Sequence, residues 1–206
     1  MRKFFLFLPA GALFLFLAAC SDTTTTAVKK EPEKPQPVTG QTALYRMYQL
    51  ARPMGTDTQV LNMNSMALTE VPDVPRGKAA AWEANFVSAS NSRLRPFTYS
   101  IIEIQPTLHK GAFAGPEGGW SGAKGSAGPF DIRAVKIDSD AAYETALKQA
   151  ADYDKKNPNM PISITLEKNN RFPDPVWRII WGPSASQSNF SVLIDASTGE
   201  YREKLH

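Results

Sequence analysis

Two stretches rich in β-branched and aromatic residues constrain the fold of this chain more than any other feature. Residues 175–200 read PVWRIIWGPSASQSNFSVLIDASTGE, in which two alternating apolar runs flank a loop of Gly, Pro, Ser and Asn. This pattern predicts a β-hairpin. A weaker copy at 79–104 repeats an aromatic pair four residues apart, Trp82 and Phe86, which corresponds to Trp177 and Trp181. The repetition predicts one small structural unit that is used twice.

Each predicted hairpin follows a segment with helical spacing of its apolar residues. Residues 40–52 form the first such segment and residues 140–156 the second, behind a capping Asp138 or Ser139. Further strands are predicted over 58–71, 130–134, 162–166 and 201–205.

A helix with an apolar stripe buries that stripe on the apolar face of a sheet. The sequence therefore predicts an α+β fold of two repeated units, each a helix packed on an antiparallel β-meander. The first unit spans 40–108 and the second 129–206, with a Gly-rich connecting loop over 109–128.

The N-terminal residues 1–19 have the layout of a signal peptide. Arg2 and Lys3 precede an apolar run that is too short for a membrane-spanning helix. The run ends in Leu-Ala-Ala-Cys, which resembles the lipobox of bacterial lipoproteins, and this resemblance implies lipid attachment to Cys20 after cleavage before it. Because Ser21 follows, the pattern is similar to that of lipoproteins sent to the outer membrane, where the protein faces the periplasm.

Residues 20–39 contain four consecutive Thr, three Pro and mixed charges, with little to bury. This composition predicts a disordered tether between the membrane and the folded part. Loss of Arg2 and Lys3 with the leader leaves 21 basic and 20 acidic side chains. A nearly neutral chain without a basic stripe gives no reason to expect a nucleic-acid partner.

The end of the second predicted hairpin carries a recognisable pattern. Trp177 is followed by a strand that ends in Leu-x-Asp-Ala-x-Thr-Gly-Glu at 193–200, and this order is similar to that of PepSY-like domains of bacterial envelope proteins. The resemblance covers about 138–205, whereas the first unit has Glu-Ile-Gln-Pro at 103–106 in place of Asp-Ala-x-Thr-Gly. It implies a cystatin-like α+β fold without enzymatic activity, for which protease inhibition or envelope sensing has been proposed.

The Gly-rich loop is the strongest candidate for a binding element. Seven of the 13 glycines lie between 108 and 129, and a long loop of this kind is either functional or a simple connector. In the functional interpretation Trp120 is an amphipathic anchor, with His109, Lys110 and Lys124 around it. In the other interpretation the loop only joins the two units, and Trp120 packs over one sheet.

The sequence gives little support for catalysis. No catalytic residue, metal site or cofactor is predicted, because His109 has no ligand-spaced partner and no nucleophile motif is present. Asp138 and Asp140 suit a helix start, and Asp152 with Asp154 suits a solvated helix end.

Three functions remain open. The first is a lipid-anchored, non-catalytic binding, inhibitory or sensing module with an envelope protein or a protease as its partner. The second is a small-ligand carrier with a pocket between helix and sheet. The third and most remote is a hydrolase that uses His109.

Overall fold

The computed structural model describes residues 35–123, 125 and 128–206. The predicted signal peptide, Cys20 and most of the predicted tether lie outside the described residues, as does Lys124. Two α-helices are present among the described residues, α1 (Gly40–Ala51) and α2 (Ser139–Lys156), and both predicted helices are thus confirmed. The strands are β1 (Val38–Thr39), β2 (Gln59–Met66), β3 (Lys78–Ala79), β4 (Ala81–Ser88), β5 (Arg93–Ser100), β6 (Gly111–Ala114), β7 (Gly118–Gly119), β8 (Ile162–Glu167), β9 (Val176–Trp181), β10 (Ser191–Asp195) and β11 (Tyr201–Leu205).

Nine of these strands form one antiparallel sheet. Its order is β11-β10-β9-β8-β2-β4-β5-β6, and the short β7 also pairs with β5. Both predicted hairpins are present, as β4–β5 and β9–β10. The predicted α+β class with an antiparallel sheet is therefore confirmed.

Both helices cover the same face of the sheet. One cross-strand row joins five core residues that belong to a single hydrophobic cluster with both helices: Trp177, Leu166, Met63, Ala84 and Phe97. α1 packs on β4, β5 and β6, and α2 packs on β9 and β10. The opposite face of the sheet carries no helix among the described residues, and we call it the helix-free face.

Two tryptophans fill the centre of the core. The Trp82 and Trp177 side chains are fully buried, and their rings meet edge to face with centroids 6.5 Å apart. The Trp177 indole N–H donates to the Ile137 carbonyl at 2.8 Å, and the Trp82 indole N–H donates to the Val38 carbonyl at 3.2 Å. Each buried indole therefore has the hydrogen-bond acceptor that burial of its polar atom requires.

The two helices begin next to each other. The Asp138 carboxylate caps α2 by accepting from the Ser139 backbone N–H at 2.7 Å, as predicted. The same oxygen also accepts from the Gln41 backbone N–H of α1 at 2.9 Å, which the sequence did not indicate. The Ser139 hydroxyl accepts from the Gly40 N–H at 2.8 Å. One acidic side chain thus serves the N-termini of both helices.

We expect Asp138→Ala to lower the free energy of unfolding by about 2 kcal/mol, at the upper end for the loss of one cap, because two helix N-termini lose their acceptor. Asp140→Ala is the matched control, since among the described residues the Asp140 carboxylate bonds only to the adjacent Ala141 N–H. Urea unfolding followed by circular dichroism measures both. Equal effects of the two substitutions would mean that the shared cap adds nothing.

Several predicted boundaries were wrong, and each has a local cause. The predicted strand over 130–134 is a single bridge between Phe130 and Val60 followed by a 3-10 turn, Ile132–Ala134. Ile132 and Val135 both enter the core, and their spacing of three matches such a turn. The tether ends earlier than predicted, since Val38–Thr39 pairs with Lys78–Ala79.

Two further corrections concern the connecting loop and α2. The predicted loop over 109–128 contains β6 and β7, whose small residues lie alongside β5 and extend the first half of the sheet. Asp154 is not on a solvated helix end. It accepts from the Trp181 indole N–H at 2.8 Å and pairs with Arg76, because the segment before β3 folds back onto α2.

Candidate functional site

The helix-free face presents a continuous row of polar side chains. Because side chains alternate along strands, the neighbours of the core residues point to this face. One row crosses five strands from the second half of the sheet to the first, through Arg178, Thr165, Asn64, Glu83 and Thr98.

A second row runs parallel to the first, nearer the β2 start. In it the Asn85 amide donates to the Asn62 side-chain oxygen at 2.9 Å across the β2–β4 pair. Glu167 of β8 lies opposite Asn62. From β9 to β5 the helix-free face therefore offers both hydrogen-bond donors and hydrogen-bond acceptors.

Trp120 lies at the margin of this face. Just before it, Gly118–Gly119 pairs with the start of β5, and the Trp120 backbone N–H donates to the Ser92 carbonyl at 2.9 Å. Its half-buried side chain lines a pocket of about 390 Å³ together with Leu61, Asn62, Leu94 and residues 119–123. Asn62 and Leu94 point to the helix-free face, so the pocket opens there. An apolar recess beside a row of polar groups is typical of a binding surface.

The hairpin that holds Trp120 is itself fixed by Asp57. This carboxylate accepts from the Ser88 hydroxyl at 2.6 Å, the Ser90 hydroxyl at 2.8 Å and the Ser90 backbone N–H at 2.7 Å. The Ser88 hydroxyl, followed by the groups of Ser90, lowers the pKa of Asp57 to about 2. The carboxylate is therefore ionised under ordinary conditions, and the Ser92 carbonyl is held where it meets Trp120.

The segment from β6 to Trp120 is tied to β5. Arg95 donates from Nε to the Gly115 carbonyl at 2.7 Å, and the Gly115 N–H donates to the Pro96 carbonyl at 2.8 Å. Arg93 forms an ion pair with Glu117 at 3.3 Å. This part of the predicted loop is thus an ordered edge of the sheet, with no free flap among these residues.

His109 and Lys110 meet at a different place, where β6 begins. The Glu103 carboxylate lies 3.0 Å from His109 Nδ1 and accepts from the Lys110 backbone N–H at 2.7 Å. The Lys110 N–H and then His109 lower the pKa of Glu103, against the opposing effect of partial burial. The His109 ring lies against Phe113, with centroids 4.1 Å apart.

The structure does not bring the predicted binding residues into one cluster. His109 and Lys110 lie near Ser100 at one end of β5, and Trp120 lies near Arg93 at the other. Eight residues of antiparallel strand separate the two places by about 24 Å. Sequence reasoning missed Leu61, Leu94 and Glu103. The alternation of apolar and polar residues around Leu94 was a signal for its orientation. Nothing in the sequence indicated that Glu103 contacts His109 and Lys110.

Two other recesses occur among the described residues. The space between the helices and the centre of the sheet is occupied by the hydrophobic core. A groove of about 310 Å³ lies beyond the ends of β2 and β8, with Met66, Leu68, Val74, Met160 and Ile162 among its lining residues. A more open groove of about 480 Å³ lies between α2 and the end of β11.

Within the described part of the chain no three His, Cys, Asp or Glu side chains converge in a way that could hold a metal ion. No helix in that part is long and apolar enough to cross a membrane. The side-chain partner of His109 is Glu103, a carboxylate, and not a serine hydroxyl.

Comparison with known proteins gives little. No protein-family model matches the sequence, and no curated protein sequence matches it significantly. The chain is similar to a candidate lipoprotein from Clostridium difficile 630 of known crystal structure, with 10% identity over 84% of this chain and 95% of that chain. The TM-score is 0.40, so this similarity establishes neither a common fold nor a common function.

Proposed function

We propose that this protein is a lipid-anchored, non-catalytic binding module of the bacterial envelope, which contacts a partner protein through the helix-free face. The observation that carries the proposal is Trp120, held over Leu61 and Leu94 at the margin of a polar sheet face. An amphipathic indole beside hydrogen-bonding side chains is a common anchor in protein interfaces. An envelope protein or a protease is the proposed partner, and inhibition or sensing is the proposed outcome.

The proposed anchor rests on the sequence. The lipobox-like segment before Cys20 supports lipid attachment there, and Ser21 supports the outer membrane with the folded part facing the periplasm. More than one acyl chain gives firm membrane attachment at about 0.8 kcal/mol per buried methylene. The residues between Cys20 and β1 then act as the spacer.

We further propose that the folded part is a tandem of two PepSY-like units. From the centre outward the sheet order is β8-β9-β10-β11 on one side and β2-β4-β5-β6 on the other, which supports a repeat. In both helices the buried residues are the first, fourth, fifth, eighth and twelfth. Trp82 and Trp177 each stand second in their strand and donate to the carbonyl two residues before a helix.

Site-specific photo-crosslinking tests the binding proposal. A photo-reactive phenylalanine analogue at position 120 should give crosslinked adducts with one defined envelope protein in cells that make this protein. The same analogue at position 201 is the control, because Tyr201 is an accessible aromatic residue that lies at the far edge of the sheet.

An adduct specific to position 120 that is lost in the Leu94→Asp variant supports the proposal. Identical adducts at both positions, or none at either, would contradict it.

The small-ligand carrier is the second candidate, because the groove beyond β2 and β8 is lined largely by apolar side chains. Native mass spectrometry of the purified protein distinguishes a carrier from a protein-binding module, since a carrier that retains its ligand has a mass above that of the polypeptide alone.

A further inference from the structure

We propose that the outer edge of β6 is a second contact surface, which accepts an extended segment of the partner as an additional strand. The inference rests on the proposed binding function and specifies how the partner is held. Among the described residues β6 pairs on one side only, with β5, and no strand covers its other side. An open edge exposes a row of backbone donors and acceptors that an extended peptide matches.

The hydrogen-bond phase of β6 identifies the groups that face outward. The Gly115 N–H donates to the Pro96 carbonyl, so this pair and every second pair along β5 and β6 are hydrogen-bonded. Phe113 and Gly111 then bond to β5. Ala112 and Ala114 therefore direct their backbone N–H and C=O groups away from the sheet.

The two edges of the sheet differ in their protection. β11, the opposite edge, carries Arg202, Glu203 and Lys204, and charged side chains of this kind oppose strand addition. β6 reads Gly-Ala-Phe-Ala and has no charge. The β6 edge is thus the one on which a further strand is not repelled.

Large apolar side chains are exposed on both sides of this edge. Phe113 of β6 is 45% exposed and points to the helix-free face, in the same cross-strand row as Thr98. Leu50 of α1 is 46% exposed. It stands nine residues from Gln41, hence on the opposite flank of the helix, and Gln41 bonds to Val135 beside the second half of the molecule. Leu50 therefore lies on the flank of α1 that faces away from the second half, and α1 itself packs on β6.

These positions define the chemistry of the occupant. A segment paired with β6 presents alternate side chains to the α1 side of the sheet and to Phe113 with His109 on the helix-free face, so it needs apolar residues on both faces. A second copy of this chain fits less well. Two copies that paired through β6 would be held by its four residues alone, whereas the proposed partner also contacts the helix-free face.

A peptide-binding experiment tests the edge directly. The probe is a fluorescent peptide of alternating Val and Ala with terminal lysines, titrated with the purified protein by anisotropy. Ala114→Pro removes the outward N–H without breaking the ladder to β5 and should weaken binding about fivefold or more. Ala114→Ser keeps the N–H and should bind like the parent. Circular dichroism checks that both variants are folded.

A peptide N-methylated at alternate residues tests the same contact with unaltered protein, and it should not bind. Equal binding by the parent and by Ala114→Pro would overturn the edge proposal, as would no binding of the probe up to about 1 mM. If the protein dimerises in analytical ultracentrifugation and Ala114→Pro abolishes the dimer, the β6 edge binds a second copy of the chain. That result would overturn the proposal that it binds a segment of another protein. If position 120 gives an adduct but the peptide does not bind, the proposal that β6 accepts a strand is wrong and the proposed function stands. If the peptide binds but position 120 gives no adduct, the proposal that the partner contacts the helix-free face is wrong and the edge proposal stands.

Discussion

Replacing Trp177 by alanine is expected to lower the free energy of unfolding by about 3–5 kcal/mol, which is a large part of the stability of a domain this size. The side chain is fully buried and packs on Trp82, and its ring lies against the start of α1 at Gly40. The substitution leaves a cavity and also leaves the Ile137 carbonyl without its donor. Urea unfolding followed by far-ultraviolet circular dichroism measures the change.

Trp177→Phe separates packing from the hydrogen bond. It keeps most of the volume and should cost about 1–3 kcal/mol, mainly for the lost indole N–H. Trp120→Ala is the control at a surface tryptophan and should change the unfolding free energy by less than about 1 kcal/mol. If Trp120→Ala cost as much as Trp177→Ala, Trp120 would belong to the core and not to a binding surface.

The proposed repeat predicts a further result in the same urea unfolding experiment. Trp82→Ala should cost about as much as Trp177→Ala, because both side chains are fully buried and each donates to the segment before a helix. Since the two rings are in contact, the double variant should be less destabilised than the sum of the single ones. A small effect of Trp82→Ala would contradict the equivalence of the two halves.

Asp195→Ala is expected to lower the free energy of unfolding by about 3 kcal/mol, because Arg202 and the Ser197 and Thr198 N–H groups lose their acceptor. The carboxylate is fully buried. It accepts from Arg202 at 2.7 Å and from the backbone N–H groups of Ser197 and Thr198 at 2.8 and 2.9 Å. The conformation of the turn that precedes β11 therefore depends on the Asp195 carboxylate.

The contribution of Asp195 to the free energy of unfolding should decrease as the pH falls. Burial alone would raise its pKa, but Arg202 and the Thr198 and Ser197 N–H groups outweigh burial, so the pKa is lowered. The unfolded chain then binds the proton more readily than the folded one. The stabilisation is complete above the unfolded pKa of about 3.9 and is lost as the pH falls through the lower folded value. Urea unfolding at a series of pH values measures it.

Glu200 provides the matched control for Asp195. It also pairs with Arg202, at 3.4 Å, but is 67% exposed. Glu200→Gln should change the unfolding free energy by less than about 1 kcal/mol, since exposed ion pairs contribute little. The difference between the parent and Asp195→Ala should shrink in acid. A difference that stays constant down to the folded pKa and below would show that the charge of Asp195 is not what stabilises the turn.

Local patterns were sufficient for most elements. Alternation in the strands around Trp82 and Trp177 and helical spacing before them predicted both hairpins and both helices. Prediction failed where two patterns coincide. Ile132 and Val135 fit a short strand as well as a 3-10 turn, and contact with the core decided for the turn. The small residues of β6 carried no strand signal, because their conformation follows from β5.

The candidate site was predictable only in part. Trp120 was singled out by its position among glycines, but the pocket beneath it needs Leu61 of one strand and Leu94 of another. Nothing in the local sequence joins Leu61 and Leu94, since they line one pocket only after β2, β4 and β5 have paired. Glu103, which orders His109 and Lys110, had no signal for the same reason.

The sequence by itself determined the class of the fold, because periodicities of two and of about 3.6 residues are local and survive without knowledge of neighbours. Only the tertiary structure decided how the halves join. The pairing of β2 with β8 and the capping of both helices by Asp138 link groups that are about a hundred positions apart. Contacts at that separation depend on the shape of the assembled core, in which Trp82 meets Trp177. No window of sequence contains them.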